Sequence, residues 1–174
     1  NKKYKKIDYF INNAGMAPAA FPALLNNFEF IEEVTKTNIL GQIHLINEIT
    51  KIMMKKKFGR IINISSMSVA LNLEGTSLYT SSKAAVEKYL KVISKEISYK
   101  NNMNITFNTL RVSMYNSKSF KELGESTIQK AKYGLTYKKV LKINELINII
   151  TPLMNNKNTA ITGQTINLGL VDGN

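Results

Sequence analysis

"GRIINISS" occupies residues 59–66. Ile61, Ile62 and Ile64 crowd β-branched apolar side chains into adjacent positions, so both faces of this segment need cover. A strand with one wet face alternates apolar and polar residues, whereas a near-continuous apolar run suits a parallel strand with helices on both sides. The flanking sequence agrees. From about Phe28 to Met54, Ile31, Val34, Ile39, Ile43, Ile46, Ile49 and Met53 recur at three- and four-residue steps, the period of a helix with one apolar face. Asn27 is placed to cap that helix at its start, and Gly59 to stop it. Downstream, a polar loop over 67–76 leads to a second long helix, roughly 77–100, with Val86, Leu90, Ile93 and Ile97 on one side.

Farther out, "IDYFINNAG" (7–15) reads as a buried strand running into a tight turn. "NITFNTLRV" (104–112) is a further strand, and "ITGQTINLGLV" (161–171) the last one. Residues 113–139 are polar and irregular, with one helix expected near 120–133. "INELINIITPLMNN" (143–156) is a short helix broken near Pro152. Strands alternating with helices build an α/β fold: a doubly wound, three-layer α/β/α parallel sheet with right-handed crossovers. In such sheets the functional crevice lies outside the C-terminal ends of the strands. Those ends are Asn12–Gly15, Ser65–Ser68 and Val112–Ser117, all rich in small or polar residues.

Composition removes several function classes. The chain has 174 residues, enough for one domain with a sizeable core. It has no cysteine, so thiol catalysis, disulfides and Cys-based metal sites are excluded. Its one histidine, His44, rules out a His-rich metal site. No apolar run approaches the length that spans a bilayer, and "NKKYKKIDYF" lacks the apolar core of a secretion signal. A cytoplasmic location is the expectation. The net charge of +12 raises a nucleic-acid reading. The lysines are spread between apolar positions, as on the wet faces of helices, and no specific nucleic-acid partner is expected.

Four residues gather chemistry around the strand ends. Tyr79 and Lys83 stand one helical turn apart at the start of the second helix, so they meet on one side of it. Ser66 ends "GRIINISS" thirteen residues before Tyr79, and the loop between them returns toward that first turn. Asn38 lies inside the first helix, on or beside its apolar stripe, where a buried amide must find partners. Each has an ordinary reading alone: an exposed helix pair, a turn cap, a satisfied buried amide.

Taken in order, "NNAG", Asn38 in "TNILG", "GRIINISS", Tyr79 with Lys83 four residues on, and "ITGQTI" resemble the short-chain dehydrogenase/reductase family, most closely its 3-oxoacyl-acyl-carrier-protein reductase type. The resemblance runs from "IDYFINNAG" to "VDGN". It implies a Rossmann-like sheet and hydride transfer between NAD or NADP and a small-molecule carbonyl or secondary alcohol. In that reading Tyr79 is the general acid or base. A free tyrosine has a pKa near 10, and a neighbouring ammonium lowers it. Lys83 is placed to do this, and the resemblance has it also hold the nicotinamide ribose. Ser66 would bond the substrate oxygen, and Asn38 would hold a water linking Lys83 to solvent. Asn13, Ala14 and Gly15 would border the adenosine side of the cofactor, with the Tyr115 backbone at the nicotinamide amide and Ser117 at that amide or the diphosphate.

The sequence also departs from the family pattern. Val112 and Ser113 stand where Pro-Gly is usual, and Arg111 where a small residue is common. The family's early glycine-rich turn, which seats the pyrophosphate on a helix N-terminus, is absent. The chain is therefore expected to be the C-terminal part of a longer domain, short of about 70–80 residues on βαβ dimensions, and to bind cofactor poorly alone. A homodimer or homotetramer is expected of the full-length protein. The competing reading is a catalytically impaired scaffold or regulatory protein that kept the fold.

Overall fold

The fold is given by a computed structural model that describes residues 6–17, 20–98, 102–114 and 140–169. Four strands form one sheet: β1 (Tyr9–Asn12), β2 (Phe58–Ser66), β3 (Asn104–Val112) and β4 (Thr165–Leu168), in the order β1-β2-β3-β4. Every neighbouring pair is parallel. The register sets Asn12 beside Asn63, Ser66 beside Val112, and Val112 beside Leu168. The C-terminal ends of the four parallel strands, at Asn12, Ser66, Val112 and Leu168, therefore lie on one side of the sheet, along one rim.

The isoleucines of β2 divide as a doubly covered strand requires. Ile61 packs with Ile105 and Phe107 beneath Ile46, Met53, Val86, Leu90 and Ile93. Those last residues belong to α2 (Gln42–Lys56) and α4 (Ser77–Ser98). Ile62 and Ile64 face the other way, against Leu110, Val112 and Leu168 and against Leu146 and Leu153 of α5 (Ile143–Leu153). The result is three layers, helix on sheet on helix. Pro152 sits in the last turn of α5, which ends at Leu153.

Four local expectations need correction. The long first helix is not uniform: α1 (Phe28–Thr35) passes through a π-helical turn, Lys36–Gly41, into α2. Asn27 caps it as expected, its Oδ1 accepting from the Phe30 N–H at 2.9 Å. Lys57, not Gly59, ends α2, in the left-handed conformation at φ 57°. Gly59 lies inside β2 under Met53; a Cβ there would meet Met53 Cγ at 2.7 Å and Cβ at 2.9 Å. Glycine is needed for close packing rather than for a turn. Third, the loop 67–76 contains a single helical turn, α3 (Ser68–Leu71). The last strand is also shorter than its apolar pattern, beginning at Thr165. The helix expected near 120–133 lies outside the described residues.

Arg60 secures the opposite end of the sheet. It is fully buried, and its donors reach the carbonyls of Gly59, Asn104, Asn155 and Asn156 at 2.8–3.2 Å. The guanidinium lies 4.6 Å from the centroid of the Phe58 ring. Carbonyl dipoles replace the water that burial removes, tying the chain after α5 to β2 and β3. The expected crevice lies at the other end, along the C-terminal rim.

Candidate active site

The π-helical turn places Asn38, and its amide explains why the turn is there. Asn38 is 1% exposed. Its Oδ1 accepts from the Met16 N–H at 2.8 Å, while Nδ2 donates to the Met16 carbonyl at 2.9 Å and to Ser82 Oγ at 3.1 Å. Both backbone groups of Met16 are satisfied as a strand neighbour would satisfy them. The extra residue of a π-helical turn swings a side chain out of α-helical phase, and such turns recur at functional sites. The carboxamide thus fixes the loop after β1 to α4 at Ser82. The side-chain amide of Asn38 is thus committed to Met16 and Ser82.

Asn13, Ala14 and Gly15 are exposed along that pinned loop. Gly15 backs onto the site: a Cβ there would lie 3.1 Å from Asn38 Oδ1 and 3.5 Å from Lys83 Nζ. A side chain at this position would occupy the space in front of the lysine. A backbone stripped of side chains is what a close-lying cofactor requires.

α4 carries the next pieces. Ser82 is buried, its hydroxyl donating to the Tyr79 carbonyl at 2.7 Å while accepting from Asn38. Lys83 turns inward to the sheet, and its Nζ donates to the Ile64 carbonyl at 3.3 Å. The same ammonium lies 5.7 Å from the centroid of the Tyr79 ring. The two residues are therefore near one another and near the end of β2. Burial pushes the Lys83 pKa below the ordinary lysine range, and the Glu87 carboxylate partly holds it up.

Ser66 ends β2 two residues beyond Ile64. Its Oγ accepts from the Ser68 N–H at 3.2 Å and from Ser68 Oγ at 3.0 Å. The turn-cap reading of Ser66 is correct as far as it goes. Accepting both bonds leaves the serine's own proton for another acceptor.

Beyond Ser66, Val112 and Ser113 stay in regular backbone without the usual Pro-Gly. Met67 donates its N–H to the Val112 carbonyl at 3.1 Å, Ser113 to Leu168 at 3.0 Å, and Leu141 to Met114 at 3.0 Å. Tyr115 and Ser117 lie outside the described residues. An open groove of about 570 Å³ runs beside the rim, lined by Met16, Phe21, Leu25 and Phe30 among others. Phe21 and Phe30 also border a small recess against Tyr79.

The family model for the short chain dehydrogenase matches residues 1–127. The chain belongs to the short chain dehydrogenase family. Among its relatives in that family is a 3-oxoacyl-[acyl-carrier-protein] reductase FabG of Buchnera aphidicola subsp. Schizaphis graminum, 29% identical over 96% of this chain and 66% of the relative. Another carries the same name in Thermotoga maritima, 26% identical over 98% of this chain and 68% of the relative. The chain spans about two thirds of the length of the curated relatives it matches. Among solved short chain dehydrogenase-like folds, a Tyr-to-Phe variant of ElxO with NADPH bound superposes with a TM-score of 0.85 at 23% identity, over 95% of this chain and 67% of that one. The actinorhodin polyketide ketoreductase with NADPH gives 0.85 at 21%, over 96% and 67%. At such identity the likeness establishes the Rossmann-like fold.

Sequence reading missed part of the site. Ser82, one residue before Lys83, is what Asn38 grips from below. Ser65 and Glu87 are buried next to the lysine, and Arg111 joins them. A signal existed for Glu87, which follows Lys83 by one helical turn, and for Arg111, whose size is unusual at a strand end. No helix among the described residues is long and apolar enough to cross a membrane, and none of their His, Asp and Glu residues cluster to hold a metal.

Proposed function

We propose that this chain carries the acid–base half of an oxidoreductase that reduces a carbonyl, or oxidises a secondary alcohol, with NADH or NADPH. The single observation that carries the reading is Lys83, drawn from bulk water onto the Ile64 carbonyl and facing the Tyr79 ring. A solvated surface pair would have no reason to bury a lysine there.

The residues fit a dinucleotide. Gly15 leaves open the space that faces Lys83, and Asn38 holds the loop that carries Asn13, Ala14 and Gly15. Bound there, the nicotinamide supplies or accepts the hydride. Lys83 would hold the ribose hydroxyls with the ammonium protons not spent on Ile64. Its positive charge favours the Tyr79 phenolate and brings the phenol's proton within reach at neutral pH. Tyr79 then gives its proton to the carbonyl oxygen as the hydride reaches the carbon, and recovers it in the oxidative direction. Ser66, with its proton unspent, donates to the same oxygen and steadies the charge that builds there.

The relatives named as 3-oxoacyl-[acyl-carrier-protein] reductases make a 3-oxoacyl thioester the first substrate class to test. The apolar groove beside Tyr79 suits a substrate with an apolar arm. The test is hydride transfer by the full-length protein with NADH and with NADPH, followed by nicotinamide absorbance across 3-oxoacyl thioesters, ketones and sugars. Turnover with one of these classes is expected. A protein that binds neither cofactor and turns over none of the panel would favour the scaffold reading instead.

A further inference from the structure

Glu87 is the third member of a row that begins with Tyr79 and Lys83, each one turn below the last on the sheet-facing side of α4. It is 8% exposed, and a buried carboxylate must be paired to stay charged. Three donors hold it. Ser65 Oγ donates at 2.5 Å from β2. Arg111 Nε bonds both carboxylate oxygens at 3.1 Å, and its terminal nitrogen bonds Oε2 at 2.8 Å. This forked geometry fixes both partners. Arg111 comes from the end of β3, where its strand neighbour is Ser65 itself.

We propose that Glu87 and Arg111 are positioning residues that set the electrostatic field at Tyr79 and Lys83. Glu87, one helical turn beyond Lys83, supplies an anion that acts on the lysine, and Arg111 cancels enough of it that Lys83 reaches the Ile64 carbonyl instead of folding back onto Glu87. The proposal rests on the acid–base reading of Tyr79. Among the described residues, other charges do not crowd the pair. Every charged side chain of α1, the π-helical turn and α2 is exposed, and α3 has none. From β2 the same face presents Asn63 and Ser65, from β3 Thr109, and from the π-helical turn Asn38, all neutral. On α4 itself, Lys88 and Lys91 are exposed. The direction of the Lys83 shift agrees, since Glu87 acts on it against burial.

The consequence has a sign. Removing an anion near Tyr79 and Lys83 favours the phenolate and disfavours the ammonium, so both groups lose their protons at lower pH. Removing a cation does the opposite. The test is the pH profile of kcat/KM for alcohol oxidation, whose rise follows formation of the catalytic base. Glu87→Gln should move that rise to lower pH and Arg111→Gln to higher pH, each by about half a unit or more at the effective dielectric of partly buried sites. The double variant should return close to the wild-type position, and Arg111→Lys, which keeps the charge, should stay near it. A purely structural pair would lower activity in both single variants without opposite displacements. Shifts in the same direction, or none, overturn the proposal while leaving Tyr79 as the base. If Glu87→Gln does not fold, Arg111→Gln against Arg111→Lys still decides, because only loss of the charge should displace the profile. A rise that persists unchanged in Tyr79→Phe overturns the acid–base reading and this proposal with it.

Discussion

Asn38 closes on Met16 from both sides, accepting its N–H at 2.8 Å and donating to its carbonyl at 2.9 Å across 22 residues of sequence. One buried side chain thus positions the loop after β1, and a third bond to Ser82 relates that loop to the helix bearing Tyr79 and Lys83. Asn38→Ala should cost about 1–3 kcal/mol in denaturant unfolding, the range for leaving buried polar partners unsatisfied. It should also weaken NADH or NADPH binding, because Gly15 follows the loop. Ser66→Ala, which leaves the loop pinned, should lower turnover with cofactor affinity unchanged. Equal cofactor affinity in Asn38→Ala and wild type would refute the pinning role.

Lys83 is costly to the fold and, in the proposed function, useful to the reaction. Burial holds its pKa below the ordinary 10.5. In the unfolded chain the same lysine keeps its proton up to that ordinary value. Below the folded-state pKa both states are charged, and the full cost of burying the ammonium is present. As pH rises from the folded value toward 10.5 the cost fades, so this group makes the fold relatively more stable in alkali. Lys83→Met removes the charge and keeps the apolar stem. Its Tm at neutral pH should equal or exceed that of the wild type, with the difference shrinking toward pH 10, while turnover falls by about 10²–10⁴-fold. A large loss of Tm at neutral pH would mean that the Ile64 contact outweighs burial.

Gly59 makes a separate claim about the fold. A methyl at this position would meet Met53 Cγ at 2.7 Å and Cβ at 2.9 Å, atoms too close to the backbone to swing away. Gly59→Ala should therefore destabilise by about 1–3 kcal/mol, the usual cost of overpacking a core. Shortening Met53 in the same chain, as Gly59→Ala with Met53→Ala, should give less than the sum of the two single losses. Additive losses would show that the two positions do not press on one another.

Much of the fold was legible because its signals are local. Ile61, Ile62 and Ile64 demand cover on both faces, and the three- and four-residue spacing around Val34 and Ile46 can only be a helix. The strand and helix order then dictates a parallel sheet, and the rim follows from the sheet. Tyr79, Lys83, Ser66 and Asn38 each had an ordinary reading alone, and stood out as a set only because their order and spacing resemble the short-chain dehydrogenase/reductase pattern. What spacing could not show was tertiary. The π-helical turn depends on a bond to Met16, 22 residues away. Gly59 reads as a helix stop until Met53 is seen above it. Arg111 reads as an oddity until β3 sets it beside Ser65 and opposite Glu87. The partners of the Asn38 amide, Met16 and Ser82, were not visible along the chain either.

The central claim is that Tyr79 moves the proton while its neighbours hold the cofactor. Tyr79→Phe removes one oxygen atom and keeps the ring that lines a small recess with Phe21 and Phe30. The most direct measurement pairs cofactor binding with single-turnover hydride transfer in this variant, in the full-length protein and with a carbonyl the wild type reduces. The account predicts wild-type affinity for the nicotinamide cofactor and hydride transfer slowed by about 10²–10⁴-fold, the usual contribution of a positioned acid or base. Hydride transfer at the wild-type rate in Tyr79→Phe would contradict it.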